Sequence, residues 1–498
     1  MKNQCQDKQL MTKTYLEAAT EAKKKLNAIS PTMCMAKWLQ VSMHLPLGKT
    51  QSCYHPSTHI VPLNELKTNK TALHNTKEKA EQRRMMLAGK RPSGCQYCWN
   101  IEDAPKGPHL SDRHYRSSED WVGTDGWNDV LAAGADGNIN PRYVEVNFNQ
   151  ACNFKCSYCG PVYSTEWEKE AAEHGPLPLS GKHETWNNLA LLKQQGAMPL
   201  PGTSKENPYV EAFWDWWPEL YKTLKVFRMT GGEPLMDKNT FKVLEYVSAN
   251  PKSDLELSIT SNMNPPSAKL FDRFMTLVKE IEVSRTWQDG VTEHTGSACK
   301  HFNLYVSVDT VGDHAEYLRT GLNYDTLLSN THRFLIESKN SHVNFINTFN
   351  IMSIPRLLDF LKLVMELRKT YTTETENHRV WFDIPYLRLP NWMSIQNIRE
   401  FPEIVKYLTN CVDFMEQNDN WFKDYEVAKL KRNIAWIEQG ANDITPQELI
   451  TRKRDFYVYF SALDNRRNTD FSSTFTELSS WWDSCQQQQI KHEKVDIK

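Results

Sequence analysis

Three cysteines in one short stretch constrain this chain more than anything else in it. Cys152, Cys156 and Cys159 are spaced Cys-x3-Cys-x2-Cys directly after the alternating, strand-like run 142–148. A closed structural zinc or iron-sulfur site normally takes four protein ligands, whereas a site built for chemistry keeps one coordination position open. No further Cys or His follows closely, the next being His174 and His183. A loop leaving the C-terminal end of a strand can fold three side chains around one face of a cluster when the intervening residues are few. Taken alone, the trio also allows a zinc loop with a remote fourth ligand, or a chance grouping in a chain of 498 residues with 11 cysteines.

Downstream, an apolar run from Phe227 stops at Gly231, Gly232, Glu233 and Pro234. Glycines at a strand end let backbone approach a ligand closely, and a fixed carboxylate there can accept hydrogen bonds from an ammonium group. By itself such a string is a common turn. Residues 255–262 and 302–310 then alternate apolar and polar side chains and end in small hydrogen-bonding residues. Two more strands are expected at 343–351 and 380–389, on either side of a helix at 355–368. Counting from residue 142, the chain has six strands separated by helical or irregular stretches. That alternation implies parallel βαβ units, whose functional residues collect at the C-terminal strand ends.

The three-cysteine segment, with Tyr158 just before its last cysteine, resembles the signature of the radical S-adenosylmethionine (SAM) enzymes. The resemblance implies that Cys152, Cys156 and Cys159 hold a [4Fe-4S] cluster whose fourth iron is chelated by SAM. It also implies that Gly231, Gly232, Glu233 and Pro234 bind the SAM amino group. Ser261 and Asn262 would contact its ribose and carboxylate, with Ser307 and Asp309 lining the substrate side. The segment 313–325 resembles one common in the peptide-modifying branch, where the residue matching Arg319 neighbours SAM. An ordinary surface arginine near a helix end is the other reading of Arg319. In such enzymes an electron from a donor such as flavodoxin or ferredoxin enters the cluster, and SAM is cleaved to methionine and a 5′-deoxyadenosyl radical that abstracts hydrogen from a substrate.

A second cysteine set lies upstream. Cys95 and Cys98 form a Cys-x2-Cys knuckle after a Gly turn, with Cys34 and Cys53 before it. Four thiolates can close around zinc or an iron-sulfur cluster equally. The stretch 81–95 and its knuckle resemble twitch-domain radical SAM enzymes, related to the SPASM type, in which a short module holds an auxiliary [4Fe-4S] cluster. The resemblance assigns Cys34, Cys53, Cys95 and Cys98 to that cluster. The family often has adjacent cysteines near the second ligand, whereas Cys53 is followed by Tyr54 and His55, so His55 or His59 stays open as a ligand.

The expected fold class is therefore α/β: a partial (β/α)6 TIM-like radical SAM barrel with an N-terminal twitch-like auxiliary module and a helical C-terminal region. Its expected boundaries are a polar helical extension at 1–30, the auxiliary module at 31–115, a Gly-, Asp- and Asn-rich linker at 116–140, the barrel at 141–390 and helices at 391–498. The aromatic cluster at 213–218 reads as core packing rather than a stacking surface for substrate. The polar N-terminus does not resemble a signal peptide, and 11 cysteines without export imply a reducing cytoplasm. No apolar stretch approaches the roughly 20 residues that cross a bilayer. Lys plus Arg total 59 against 61 for Asp plus Glu, a balance that argues against a broad nucleic-acid surface. The expected substrate class is a peptide or protein. An RNA-modifying radical SAM enzyme and a non-catalytic zinc-binding adaptor are the alternatives.

Overall fold

Strands form where the sequence alternates. Val144 and Val146 are fully buried on one face of Tyr143–Asn147 while Glu145 stands on the other, and Leu304 and Val306 repeat the pattern later in the chain. The computed structural model describes residues 2–105, 109–181, 183, 186–200, 207–289, 292–372 and 378–496. We number its principal strands β1 (Gln40–His44), β2 (Lys49–Gln51), β3 (His59–Ile60), β4 (Tyr143–Asn147), β5 (Val226–Thr230), β6 (Lys252–Ser261), β7 (Cys299–Ser307), β8 (Ser341–Ile346) and β9 (Val380–Asp383). The last six coincide with the six strands expected from residue 142 onward. Together with many helices they make a mixed α/β protein whose sheet strands are mostly parallel.

The chain forms two units. The first comprises Met1–Asn149, Pro199–Gly231 and Lys252–Ser258; the second comprises Gln150–Met198, Gly232–Pro251 and Ile259–Lys498. The expected barrel stretch, 141–390, contributes to both.

In the first unit, β1 runs parallel to β4, with Val41 opposite Val144, and β4 runs parallel to β5, with Val146 opposite Met229. Strands β2 and β3 continue from β1 as an antiparallel meander. The N-terminal helix Lys2–Ile29 buries Ala19, Ala22 and Leu26. The Gly-, Asp- and Asn-rich residues 116–140 include the helix Gly123–Ala133, because Trp127 and Val130, one turn apart, pack into the same core as Trp38, Trp99 and Trp121. The helix Pro208–Thr223 carries the aromatic cluster, with Phe213, Trp216 and Trp217 buried and Phe213 edge-on to Phe148 at 5.0 Å.

In the second unit, β7, β8 and β9 are parallel neighbours, joined by the helices Tyr324–Glu337 and Leu357–Tyr371. Parallel strands need such crossovers, which carry the chain back to the same end each time. Four long helices follow: Pro402–Gln417, Asp424–Asp443, Pro446–Arg467 and Ser479–Asp496. Among the described residues, no helix is long and apolar enough to cross a membrane.

One buried ion pair fastens the helical C-terminal part to the crossover helix. Arg368 and Glu426 are both fully buried, with a bond of 2.6 Å between Nη2 and Oε1, and Arg368 Nε also donates to Val380 O at 2.9 Å. Glu426→Ala would leave the guanidinium buried without its carboxylate. It is expected to cost about 3–5 kcal/mol, read as a lower denaturant midpoint at unchanged slope.

Candidate active site

The second unit gathers most of the residues singled out in the sequence. Its centre is Glu233, 2% exposed at the start of the turn Pro234–Met236. Glu233 Oε1 accepts from Leu235 N at 3.0 Å and from Ser261 Oγ at 2.8 Å, and Oε2 accepts from Asn262 N at 2.6 Å. Its own N–H donates to Ala151 O at 2.7 Å. One residue thus ties the end of β6 to the residue just before Cys152. Gly232 must be glycine here, since a Cβ would run into Ala151 O and stand 2.6 Å from the Gln150 carbonyl carbon. Gly231 is the last residue of its segment in the first unit.

The cysteine loop is held from its two sides. On one, the helix Thr165–His174 begins with Ser164 as N-cap. Ser164 Oγ donates to Phe154 O at 2.6 Å, Cys152 N donates to Thr165 Oγ1 at 3.2 Å, and Trp167 Nε1 donates to Cys156 O at 2.8 Å. On the other, Lys155–Cys156 pairs antiparallel with Arg319–Thr320, which sets Arg319 opposite Cys156. The next residue, Gly321, has φ of +107°, and a Cβ on it would stand 2.8 Å from Asn153 O.

Arg319 is buried rather than a surface arginine. Its Nε and Nη2 donate to Asp309 Oδ2 and Oδ1 at 2.8 and 3.1 Å, and Nη1 reaches Cys156 Sγ at 3.7 Å. Asp309 is fully buried and also accepts from Tyr158 Oη at 2.8 Å and Thr348 N at 2.8 Å. Its carboxylate therefore holds Arg319 and Tyr158 in position, with the guanidinium 5.4 Å above the Tyr158 ring. Ser307 ends β7, half-buried, in register with Ile346.

Sequence reasoning missed an asparagine chain. Asn262 Nδ2 donates to Asn153 Oδ1 at 2.9 Å, Asn153 Nδ2 donates to Asn264 O at 2.7 Å, and Asn264 N donates to Asn262 Oδ1 at 2.8 Å. The signal was present in Asn-x-Asn before two prolines, a turn that puts Met263 at φ of +56°.

The donor set suits a metal cluster. Burial raises all three thiol pKa values, Cys159 to about 12, and Cys156 raises those of Cys152 and Cys159 further, while Arg319 opposes the rise at Cys156 and Cys159. Buried thiols set this close together favour a ligand that binds them as thiolates and releases their protons.

In the first unit, Cys34, Cys53, Cys95 and Cys98 line one cavity. Burial and the three other cysteines raise the Cys34 thiol, and burial pushes Cys98 up to about 12. His55 also lines the cavity, but its Nε2 meets Asp112 Oδ2 at 2.5 Å and its ring stacks on Tyr97 at 3.7 Å. His59 Nε2 meets Thr76 Oγ1 at 2.9 Å. Among the described residues, no three His, Cys, Asp or Glu side chains are drawn together closely enough to hold a single metal ion.

No protein-family model matches the sequence. The chain is 25% identical over 142 residues to a GTP 3′,8-cyclase of Campylobacter lari, a stretch covering 28% of this chain and 34% of that protein. It thus spans about a third of the length of the curated relative it matches. A superposition on the crystal structure of Streptococcus suis SuiB covers 68% of this chain and 62% of that one at 11% identity, with a TM-score of 0.31, too low to carry an argument. The partial likeness to the cyclase is a likeness to an enzyme.

Burial drives the Glu233 carboxyl up from 4.5 to about 7, partly offset by its donors Asn262 N, Leu235 N and Ser261. Between those two values the unfolded chain has released this proton and the folded chain has kept it. The Glu233 contribution to stability is therefore present below pH 4.5 and is lost as pH rises to 7, by on the order of 3 kcal/mol. The stability difference between the wild-type protein and Glu233→Gln, measured by chemical denaturation of cluster-free protein, is expected to shrink across that window.

Proposed function

We propose that this chain is a radical SAM enzyme that abstracts hydrogen from a peptide or protein substrate and carries a second, auxiliary [4Fe-4S] cluster. The observation that carries the reading is the Cys152–Cys159 loop, fastened to the Glu233 turn and to Arg319 by bonds made within one unit. Cys152, Cys156 and Cys159 would hold a [4Fe-4S] cluster, which with SAM bound would supply the one-electron chemistry that cleaves SAM to a 5′-deoxyadenosyl radical.

The chain's own residues bind and position. Glu233, with Gly231, Gly232 and Pro234, receives the SAM ammonium group, an arrangement supported by a buried carboxylate whose acceptor capacity exceeds the three donors it now has. Ser261 and Asn262 stand beside it for the ribose and carboxylate of SAM. Arg319 places a fixed positive charge against Cys156 and favours the thiolate there. Asp309 keeps that charge in place through two bonds to the guanidinium. Tyr158 donates to the same carboxylate and lies under the guanidinium, which helps to fix Arg319 in place.

The four thiols of the first unit would hold the auxiliary cluster, completing its ligand set from protein alone and so favouring electron relay over substrate binding. The charge balance of the chain favours a peptide over RNA. Flavodoxin or ferredoxin is the expected class of electron donor, and the cytoplasm the expected compartment.

Anaerobic reconstitution is expected to give about eight irons per chain with matching sulfide, and about four in Cys152→Ala/Cys156→Ala/Cys159→Ala, which keeps part of its absorbance near 400 nm. Reduced wild-type protein is expected to form 5′-deoxyadenosine from SAM, and the triple variant none. Deuterium passing from a labelled peptide into the deoxyadenosine would support the substrate class. Stoichiometric zinc without iron would instead establish the adaptor, and label arriving only from RNA would establish the RNA-modifying enzyme.

A further inference from the structure

Three cations in the first unit are buried without a carboxylate. Lys37, Lys79 and Arg83 are each no more than 2% exposed. Among the described residues, no Asp or Glu oxygen lies within 4.0 Å of their charged nitrogens. Their partners are neutral. Lys37 Nζ donates to Gln82 Oε1 at 2.6 Å, and Arg83 donates to Lys37 O at 3.3 Å and to Asn75 Oδ1 at 3.1 Å. His74 Nε2 meets Trp38 O at 2.6 Å, which leaves Nδ1 to accept from Lys79 Nζ at 2.9 Å. His59, also beside them, is pushed down to about 4 by burial and then by Lys79 and Lys37, and stands 3.8 Å from the half-exposed Glu78.

Burying a charge without a partner is costly, and folded proteins seldom keep several together unless something of opposite sign balances them. The other cations on the four-cysteine cavity are already balanced, Arg113 by Glu102 at 2.6 Å and Arg116 by Glu119 at 3.8 Å. Lys37 lines the same cavity, and its charge bears on Cys34 and Cys53. Burial, Arg83 and Lys37 push the Lys79 amine well below its ordinary value, and Cys53 opposes that fall. A cubane held by these four thiolates would carry net negative charge.

We infer that Lys37 and Lys79, backed by Arg83, are the built-in counter-charge of the auxiliary cluster and raise its reduction potential, which makes this cluster the better electron acceptor. The inference rests on the reading of the four-cysteine cavity as a cluster site. Lys37, Lys79 and Arg83 act through the cluster and are positioning residues rather than catalytic ones. A nearby positive charge stabilises the reduced, more negative cluster more than the oxidised one, so its removal makes reduction harder.

The test uses full-length protein with Cys152→Ala/Cys156→Ala/Cys159→Ala, so that one cluster remains, and follows its midpoint potential by EPR-monitored redox titration. Lys37→Met and Lys79→Met are expected to shift the midpoint to more negative values, and Lys37→Arg and Lys79→Arg to hold it. Unchanged midpoints in the Met variants at full iron content overturn the inference. A second measurement covers variants that lose iron: cluster-free Lys79→Met is expected to melt at a higher temperature than its cluster-free parent, since a buried unbalanced cation is gone, and a lower melting temperature overturns the inference. Absence of iron from the triple-cysteine parent itself defeats the cluster reading, an outcome separate from either of these.

Discussion

A carboxylate held out of water organises the second unit. Glu233 spends its two oxygens on the end of one strand and on its own turn, and its N–H on the residue before the cysteine loop. Three segments far apart in sequence therefore meet at one side chain. A buried acceptor with several donors is worth more than its separate bonds, because each donor would be orphaned without it. Here the acceptor keeps lone pairs to spare, which is what a residue needs if it is to anchor backbone and receive a ligand together.

A second buried carboxylate, Asp309, works in a complementary way. It accepts from Arg319, Tyr158 and Thr348, and through Arg319 it sets a positive charge against Cys156. The loop that carries the three thiols is thus pinned by uncharged hydrogen bonds from the Ser164 helix start and by an ion pair on the other side. The two cysteine groups contrast in this respect. Arg319 beside the trio has its own carboxylate partner, whereas Lys37 on the four-cysteine cavity is held by an amide.

Much of this was legible in the sequence. Alternation located most of the six strands after residue 142, because a half-buried strand must put every second side chain inside, and the apolar run stopped by Gly231 located another. The cysteine spacing and the Gly-Gly-Glu-Pro turn were legible because they are local. What could not be read is what depends on distant partners. Nothing near Asp309 says that its carboxylate is taken up by Arg319, and nothing near Asn153 announces the bonds to Asn262 and Asn264. The pairing of β1 with β4 joins residues about a hundred positions apart, and neither strand carries a mark of the other. Residues 116–140 look like connecting chain by composition, yet two apolar side chains one turn apart suffice to make part of them a packed helix.

The two-residue ladder between Lys155–Cys156 and Arg319–Thr320, closed by Gly321 against Asn153 O, has an evolutionary consequence. The thiol-bearing loop takes its shape from backbone that belongs to a much later part of the chain, so neither segment can drift alone. Tyr459 and Arg467 of the helix Pro446–Arg467 donate to Ser157 O at 2.8 Å and Thr320 Oγ1 at 3.0 Å. A lineage that acquires new substrates must therefore inherit these two strips of polypeptide, and that helix with them, as a matched set.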